Sequence, residues 1–481
     1  MSSSDALRPV VAVANRLPVQ LGADGWELSP GGLVTALRPV MQRGSGTWVG
    51  WDGGAEGTPR QLPSMSIDLA PVALSAGAVA AYYFGFSNRT LWPLLHNAVE
   101  KPVFDRDWWR SYRDVNETFA EAAAESLRAR PDALLWVHDY HLMLVPQLVR
   151  ERIPDQRTGF FLHVPWPSAD LYVRLPWRAD LLRGLLGADV ISFHTEGYRR
   201  NFVQACRRLL TAEGVTGRAD ELVTPDGRSV RTTASPISID ARDLAATARS
   251  DATAAELAAL EEQFAGRRVL LGVDRLDYTK GIIERLLAVE LLLERRPDLR
   301  TTSVFVQVAV PSRDDVQEYR DLRAQVEQTV GRINGRFTEP GHDVPVHYFY
   351  RGLDHEHLAA YYALADVLLV TPLVDGMNLV AKEYVVVQHA LHKSGALVLS
   401  EFTGAALELR EATRCNPYDI EGLSTQIEQS IEQPERSRRR AIGAMARRVH
   451  THDVHRWVNG QLSSIAGDGE EERGADAPAP G

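Results

Sequence analysis

Short runs of Val, Ile, Leu and Phe recur along the chain, and most of them lead into a stretch with helical spacing. A run of four to eight such residues reads as a strand covered on both faces, and strands of this kind joined by crossover helices form parallel sheets. In the first half the runs fall at 9–15, 133–139, 159–165 and 189–195. Between them, 117–129 sets Phe119, Ala122, Ala123 and Leu127 on one helical face. In the second half the runs at 268–275, 303–311, 344–350, 366–372 and 396–402 repeat the theme. The pattern predicts an α/β protein with two doubly wound sheets. Ligands of such sheets bind beyond the carboxyl ends of the strands, so two facing sheets would put a site in the cleft between domains.

A chain of 481 residues exceeds what one hydrophobic core supports, so two domains are expected. The extended, Pro-containing segment 235–240 is the expected boundary, giving a first domain over 1–240 and a second over 241–450. Residues 451–466 are expected to form a C-terminal helix returning to the first domain. The final stretch 467–481, GDGEEERGADAPAPG, has nothing to bury and is expected to be a disordered tail.

Composition narrows the function classes. Hydrophobic residues at 44% and charged residues at 24% describe an ordinary globular protein. Acids outnumber bases 63 to 53, a net charge of -10 that argues against nucleic acid as a partner. The one concentrated basic stretch, RSRRRAIGAMARR at 436–448, reads as a solvated helix face. Cys206 and Cys415 lack CxxC spacing, so neither a disulfide framework nor a cysteine zinc site is expected, and a reducing cytoplasm fits best. The first residues, MSSSDALRPVVAVANR, do not read as a secretory signal. Residues 70–88 carry no charge, but Ala, Gly and Ser dominate them and they are not expected to span a membrane.

Several segments carry chemistry. The run at 9–15 ends in Asn15-Arg16, and a hairpin-like insertion leads to Gly31-Gly32 at the start of a helix. Paired glycines there let backbone N–H groups approach an anion, although the pair alone also fits an ordinary loop. GxGxxG and GxxxxGK[ST] are both absent, which leaves NAD and nucleotide-triphosphate loops unsupported. Arg275 and Lys280 follow a buried strand and would set two cations at its carboxyl end, suited to a leaving diphosphate or, more plainly, exposed in a surface loop. Asp375 and Glu383, eight residues apart, would lie about 12 Å apart along one helix and could hold hydroxyls at two ends of a long ligand. An N-cap aspartate and a surface glutamate are the alternative. His138 and His141 form an HxxH pair without further ligands nearby, so no metal is expected. Asp105-Arg-Asp107 matches a minimal DxD pattern but runs into a helix. No G-x-S-x-G elbow is present.

Together these segments resemble the trehalose-6-phosphate synthases, retaining glucosyltransferases of two facing Rossmann-like domains. The resemblance runs from Val11 to about Ile465 and includes NR at 15–16, GGL at 31–33, WVHDYHL at 136–142, GFFLHVPWP at 159–167, DRLDYTKG at 274–281, VAVPSRDDV at 308–316 and DGMNLVAKEY at 375–384. It implies transfer of glucose from a nucleotide sugar to glucose 6-phosphate, giving α,α-trehalose 6-phosphate without a metal or other cofactor. By motif, Arg275 and Lys280 would hold the donor diphosphate with Gly31 and Gly32. Asp375 would hold glucosyl hydroxyls with Met377, Asn378, Leu379 and Val380; Glu383 would hold the ribose, Leu353 would sit in the base loop, and His163 would contact the transferred glucose. Arg16, Tyr83, Trp92, Asp139 and Arg313 would hold glucose 6-phosphate. The family is thought to react on one face of the sugar, so no nucleophile is implied. Val374 stands where relatives carry a cation, and Leu353-Asp354 departs from the base loop of some of them. UDP-glucose and GDP-glucose both remain open as donors. A cyclitol-coupling enzyme on the same scaffold and a non-catalytic sugar-phosphate sensor are the alternatives, and a homo-oligomer is a base-rate expectation.

Overall fold

In the computed structural model the buried runs become strands. It describes residues 8–468 apart from 23–24, 30–33, 35, 38–44, 55–57, 62–65, 219 and 314–315. Gly31 and Gly32 therefore lie outside the described residues, as does most of the acidic tail, 469–481. The chain divides into two compact units, one of Met1–Ile237 with Val454–Gly481 and one of Ser238–Asp453.

The strands of the first unit are β1 (Val10–Arg16), β2 (Val19–Gly22), β3 (Gly25–Leu28), β4 (Gly46–Trp51), β5 (Asp68–Val72), β6 (Leu134–His138), β7 (Thr158–Phe161), β8 (Val190–Phe193), β9 (Thr216–Gly217), β10 (Glu221–Val223) and β11 (Ser229–Ala234). The large sheet runs β5-β4-β1-β6-β7-β8-β11-β10-β9. It is parallel from β5 to β11. β2 and β3 form a separate antiparallel hairpin after Arg16. Strand order reverses between β1 and β6, which pair Val10 with Leu134 and Val13 with Val137. At such a switch point the crossovers leave in opposite directions and open a crevice at the carboxyl ends. Here those ends are Asn15-Arg16 and His138-Asp139.

The second unit contains β12 (Arg268–Arg275), β13 (Ser303–Val310), β14 (Val346–Tyr350), β15 (Val367–Val370), β16 (Ala396–Ser400) and β17 (Thr413–Cys415). They form one parallel sheet in the order β14-β13-β12-β15-β16-β17. Its reversal lies between β12 and β15, so its crevice is bounded by 275–281 and 371–378. Leu270, Phe305 and Val367 from the sheet pack with Leu286, Leu292 and Ile427 from the covering helices. Burial of this apolar set, at about 25 cal/mol per Å², is what holds the sheet and helices together.

Between β5 and the helix Arg106–Ala129 lies a π-helix, Val79–Leu91. Such wide turns are rare and concentrate at functional sites. Asp105 is the N-cap of Arg106–Ala129, its Oδ1 accepting from the N–H groups of Asp107 at 2.7 Å and Trp108 at 3.0 Å. The DxD pattern is thus a helix start. No helix among the described residues is long and apolar enough to cross a membrane.

The last helix, Val454–Ala466, belongs to the first unit. Trp457 packs 5.4 Å from Trp136 and 5.0 Å from Phe161, centroid to centroid. Ser464 Oγ accepts from Arg231 at 3.0 Å.

Candidate active site

At the β1/β6 switch point of the first unit lies a cavity of ≈ 420 Å³ lined by Asn15, Arg16, Trp26, Asp52, His138 and Asp139 among others. That size accommodates a hexose phosphate. Arg16 ends β1 and sets its guanidinium 4.4 Å from the centroid of the Trp51 ring, a cation–π contact that orients the charge. Asp139 has φ 73, ψ 167, a conformation uncommon for a residue with a Cβ. Its Oδ1 accepts from the His163 N–H at 3.3 Å.

The π-helix supplies Tyr83, which stacks on His141 at 5.7 Å and 12°. The geometry is held from both sides. Tyr82 donates to Asn15 Oδ1 at 2.9 Å, Asn88 donates to the Tyr83 carbonyl at 2.8 Å, and Tyr140 donates to Asn88 Oδ1 at 3.0 Å. Trp92 begins the next short helix and is buried against His96 and Tyr140.

His138 packs against Trp136 and His163, whereas His141 stacks on Tyr83 and packs against Tyr140. His138 Nδ1 lies 3.1 Å from His163 Nε2, and His194 Nε2 lies 3.1 Å from the His163 carbonyl oxygen. Burial lowers the imidazole of His138 to about 3. Burial first, then His138 and His194, holds His163 well below the usual imidazole range. Both rings are neutral at pH 7, so His163 is a hydrogen-bonding group there rather than a cation. Among the described residues no group of three or more His, Cys, Asp or Glu could hold a metal ion.

In the second unit, Arg275 is the exposed last residue of β12. Asp277 Oδ1 accepts from the Thr279 N–H at 3.0 Å and caps a tight turn, Tyr278–Lys280. Gly281 follows with φ 61; a Cβ there would lie 2.1 Å from the Thr371 carbonyl oxygen, so the turn requires glycine. The turn delivers Lys280, nearly buried, to Asp375, with Nζ 2.6 Å from Oδ2.

Asp375 and Glu383 do not share a helix. The helix begins at Leu379, with Asn378 as its N-cap at φ 79, ψ 93. Asp375 lies before it, bridged to Thr403 and hydrogen-bonded from Asn378 Nδ2 at 3.2 Å. The expected helical rise between the two carboxylates therefore does not apply, because the left-handed Asn378 separates loop from helix. Met377 is buried and its carbonyl accepts from Ala405 N–H at 2.8 Å. Leu379 and Val380 occupy the first helical turn, whose N–H groups have no intrahelical acceptor and suit an anion or hydroxyl oxygens. Val374 is itself buried, at 3% exposure, and belongs to the core.

Glu383 Oε2 accepts from Tyr362 at 2.9 Å. Burial raises the Glu383 carboxyl, opposed by that hydrogen bond. Leu353 and Asp354 precede the helix His355–Leu364, which Asp354 caps through His357 N–H at 2.8 Å. Arg313, at φ 53, donates to Asp277 Oδ2 at 2.9 Å and also bonds the Tyr319 hydroxyl. Asp139, Arg313 and Asn378 are three of six non-glycine residues with positive φ among those described. Strain of this kind concentrates at functional sites. Asp277 and Tyr362 were not singled out from the sequence, since only folding shows which side chains they hold, and His138, read there as half of an HxxH pair, lies instead beside His163.

A family model, glycosyltransferase family 20, matches residues 9–467. A trehalose-6-phosphate synthase of Mycolicibacterium smegmatis is 46% identical over 486 residues, covering 98% of this chain and 95% of that protein. An α,α-trehalose-phosphate synthase (UDP-forming) from Burkholderia xenovorans, solved in complex with glucose-6-phosphate, superposes with a TM-score of 0.85 at 32% identity, covering 95% of this chain and 100% of that one. A structure from E. coli bound with UDP-2-fluoro glucose gives 0.84 at 34% identity, covering 95% and 98%. Two Rossmann-like units with these relatives define a glycosyltransferase of the GT-B class. The chain belongs to glycosyltransferase family 20, and its likeness is to the trehalose-6-phosphate synthases along nearly its whole length.

Proposed function

We propose that the chain transfers glucose from a nucleoside-diphosphate glucose to the anomeric hydroxyl of glucose 6-phosphate, with retention, giving α,α-trehalose 6-phosphate. The observation that carries this reading is the Lys280–Asp375 pair, a cation and a hydroxyl acceptor joined at one strand-order reversal. The cavity at the other reversal, with Arg16 and Asp139 in its wall, supports an acceptor sugar phosphate in the first unit. Relatives solved with glucose-6-phosphate and with UDP-2-fluoro glucose support both substrate classes.

In this reading Arg275 and Lys280 hold the diphosphate and stabilise the charge that develops as it leaves; the Gly31 and Gly32 assignment to the donor lies outside the described residues. Asp375, Asn378 and the N–H groups of Leu379 and Val380 hold glucosyl hydroxyls beside Met377. Glu383 holds the ribose and Leu353 flanks the base. Arg16, Tyr83, Trp92, Asp139 and Arg313 hold glucose 6-phosphate, and neutral His163 donates to the transferred glucose. The C1–O bond to the diphosphate breaks, the C1–O bond to the acceptor forms on the same face, and the acceptor's hydroxyl proton passes to the departing diphosphate oxygen. Asp375 is engaged by Lys280 and Asn378, which suits a hydroxyl acceptor better than an attacking nucleophile.

The test is product formation from glucose 6-phosphate with UDP-glucose and GDP-glucose in parallel, following trehalose 6-phosphate and released nucleotide without added metal. Product with either donor supports the synthase, and the ratio of kcat/KM values assigns the base. No product with either, from folded protein, would sink it.

A further inference from the structure

Asp277 is fully buried, yet it receives four hydrogen bonds from three separate segments. Its Oδ1 accepts from the Thr279 N–H at 3.0 Å and the Thr279 hydroxyl at 2.9 Å, fixing the turn that carries Lys280. Its Oδ2 accepts from Arg313 Nη1 at 2.9 Å and from the Tyr319 hydroxyl at 3.0 Å. Tyr319 stands in the first turn of the helix Gln317–Phe337, so the second oxygen gathers a loop and a helix start. Burial alone would raise this carboxyl, but Arg313, Arg275 and Lys280 outweigh it and bring it down to about 2, so the group is an anion at working pH.

We propose that Asp277 is a positioning residue that couples the two substrate sites, one carboxylate oxygen setting the donor-diphosphate lysine and the other setting the acceptor-phosphate arginine. The proposal rests on the reading of Lys280 and Arg313 given above. A guanidinium whose Nη1 is held by both a buried carboxylate and a tyrosine hydroxyl is restricted in its plane, which is what bidentate recognition of a phosphate needs. Its strained backbone, φ 53, is tolerated because this network holds it.

The two oxygens can be separated by mutation. Asp277→Asn keeps an acceptor for Thr279 but turns an NH₂ donor toward Arg313 and Tyr319. It is expected to raise KM for glucose 6-phosphate about tenfold while KM for the better nucleotide-sugar donor stays within about threefold. Asp277→Ala removes both oxygens and should raise both KM values. Tyr319→Phe leaves the turn intact and should raise the acceptor KM alone, about threefold; it decides the matter if Asp277→Asn does not fold. Arg313→Ala and Lys280→Ala run alongside as references. Unchanged acceptor KM in Asp277→Asn and Tyr319→Phe, with Arg313→Ala raising it, would overturn the coupling while leaving the substrate assignment standing. An Arg313→Ala enzyme with an unaltered acceptor KM would instead overturn the assignment beneath it.

Discussion

Lys280 Nζ stands 2.6 Å from Asp375 Oδ2, which ties the segment after β12 to the segment after β15. Both side chains are nearly buried, so neither charge is well solvated without the other. The pair sits where the sheet's connections diverge, and it keeps the floor of that crevice in one arrangement.

Removing either partner should therefore cost more than its own contacts. Lys280→Ala and Asp375→Ala are each expected to lower kcat at least a hundredfold and to lower Tm. The double variant should lose less than the sum, with a coupling of about 1–3 kcal/mol in denaturant unfolding. Additive losses would show that the two groups act independently.

Tyr362→Phe deletes one hydroxyl, the donor to Glu383 Oε2. A hydrogen bond to a charged group contributes about 1.5–3 kcal/mol. The donor KM should rise about tenfold or more with the acceptor KM unmoved, measured by varying each substrate at saturation of the other. An unmoved donor KM would remove Glu383 from the donor site.

The imidazole pair predicts an acid sensitivity. In the unfolded chain an imidazole gains its proton near pH 6.5. In the folded protein burial keeps His138 neutral down to about 3 and holds His163 low as well. The unfolded state binds more protons within that window, so stability is full above pH 6.5 and falls as the pH drops toward 3. Tm recorded from pH 7 to pH 4 should decline less steeply in His138→Gln than in the wild type.

Arg285 is wholly buried beneath the Lys280 turn, donating to Asp274 at 2.6 Å, Gln307 at 2.8 Å and Thr371 at 3.0 Å. Arg285→Ala leaves the Asp274 carboxylate without its cation and should cost about 3–5 kcal/mol. Arg285→Met combined with Asp274→Leu should recover most of that stability in urea denaturation. A double variant no more stable than Arg285→Ala would mean that the network matters for packing shape more than for charge.

The central strands were legible because buried parallel strands need unbroken apolar runs, and β12 matches its run from Arg268 to Arg275. β4 and β5 were not. β4 reads Gly-Thr-Trp-Val-Gly-Trp, and its Gly46 is there because a Cβ would lie 2.1 Å from the Val10 carbonyl oxygen. β5 contains Pro71, which weakens any strand signal. The charged candidates were visible through motif and strand end, yet their mutual geometry was not. Asp375 and Glu383 looked like one helical face until the left-handed Asn378 separated them. Asp277 and Tyr362 gain their roles from partners 36 and 21 residues away, which no local pattern encodes.

The return of Val454–Ala466 to the first unit gives synthesis an order. The second unit is one unbroken stretch of chain. The first is not, because Trp457, which backs Trp136, Phe161 and His163, is made after the whole of the second unit. The helix Val454–Ala466 therefore packs onto a sheet whose strands were all made before the second unit, and the core of the first unit closes only once that helix has been added.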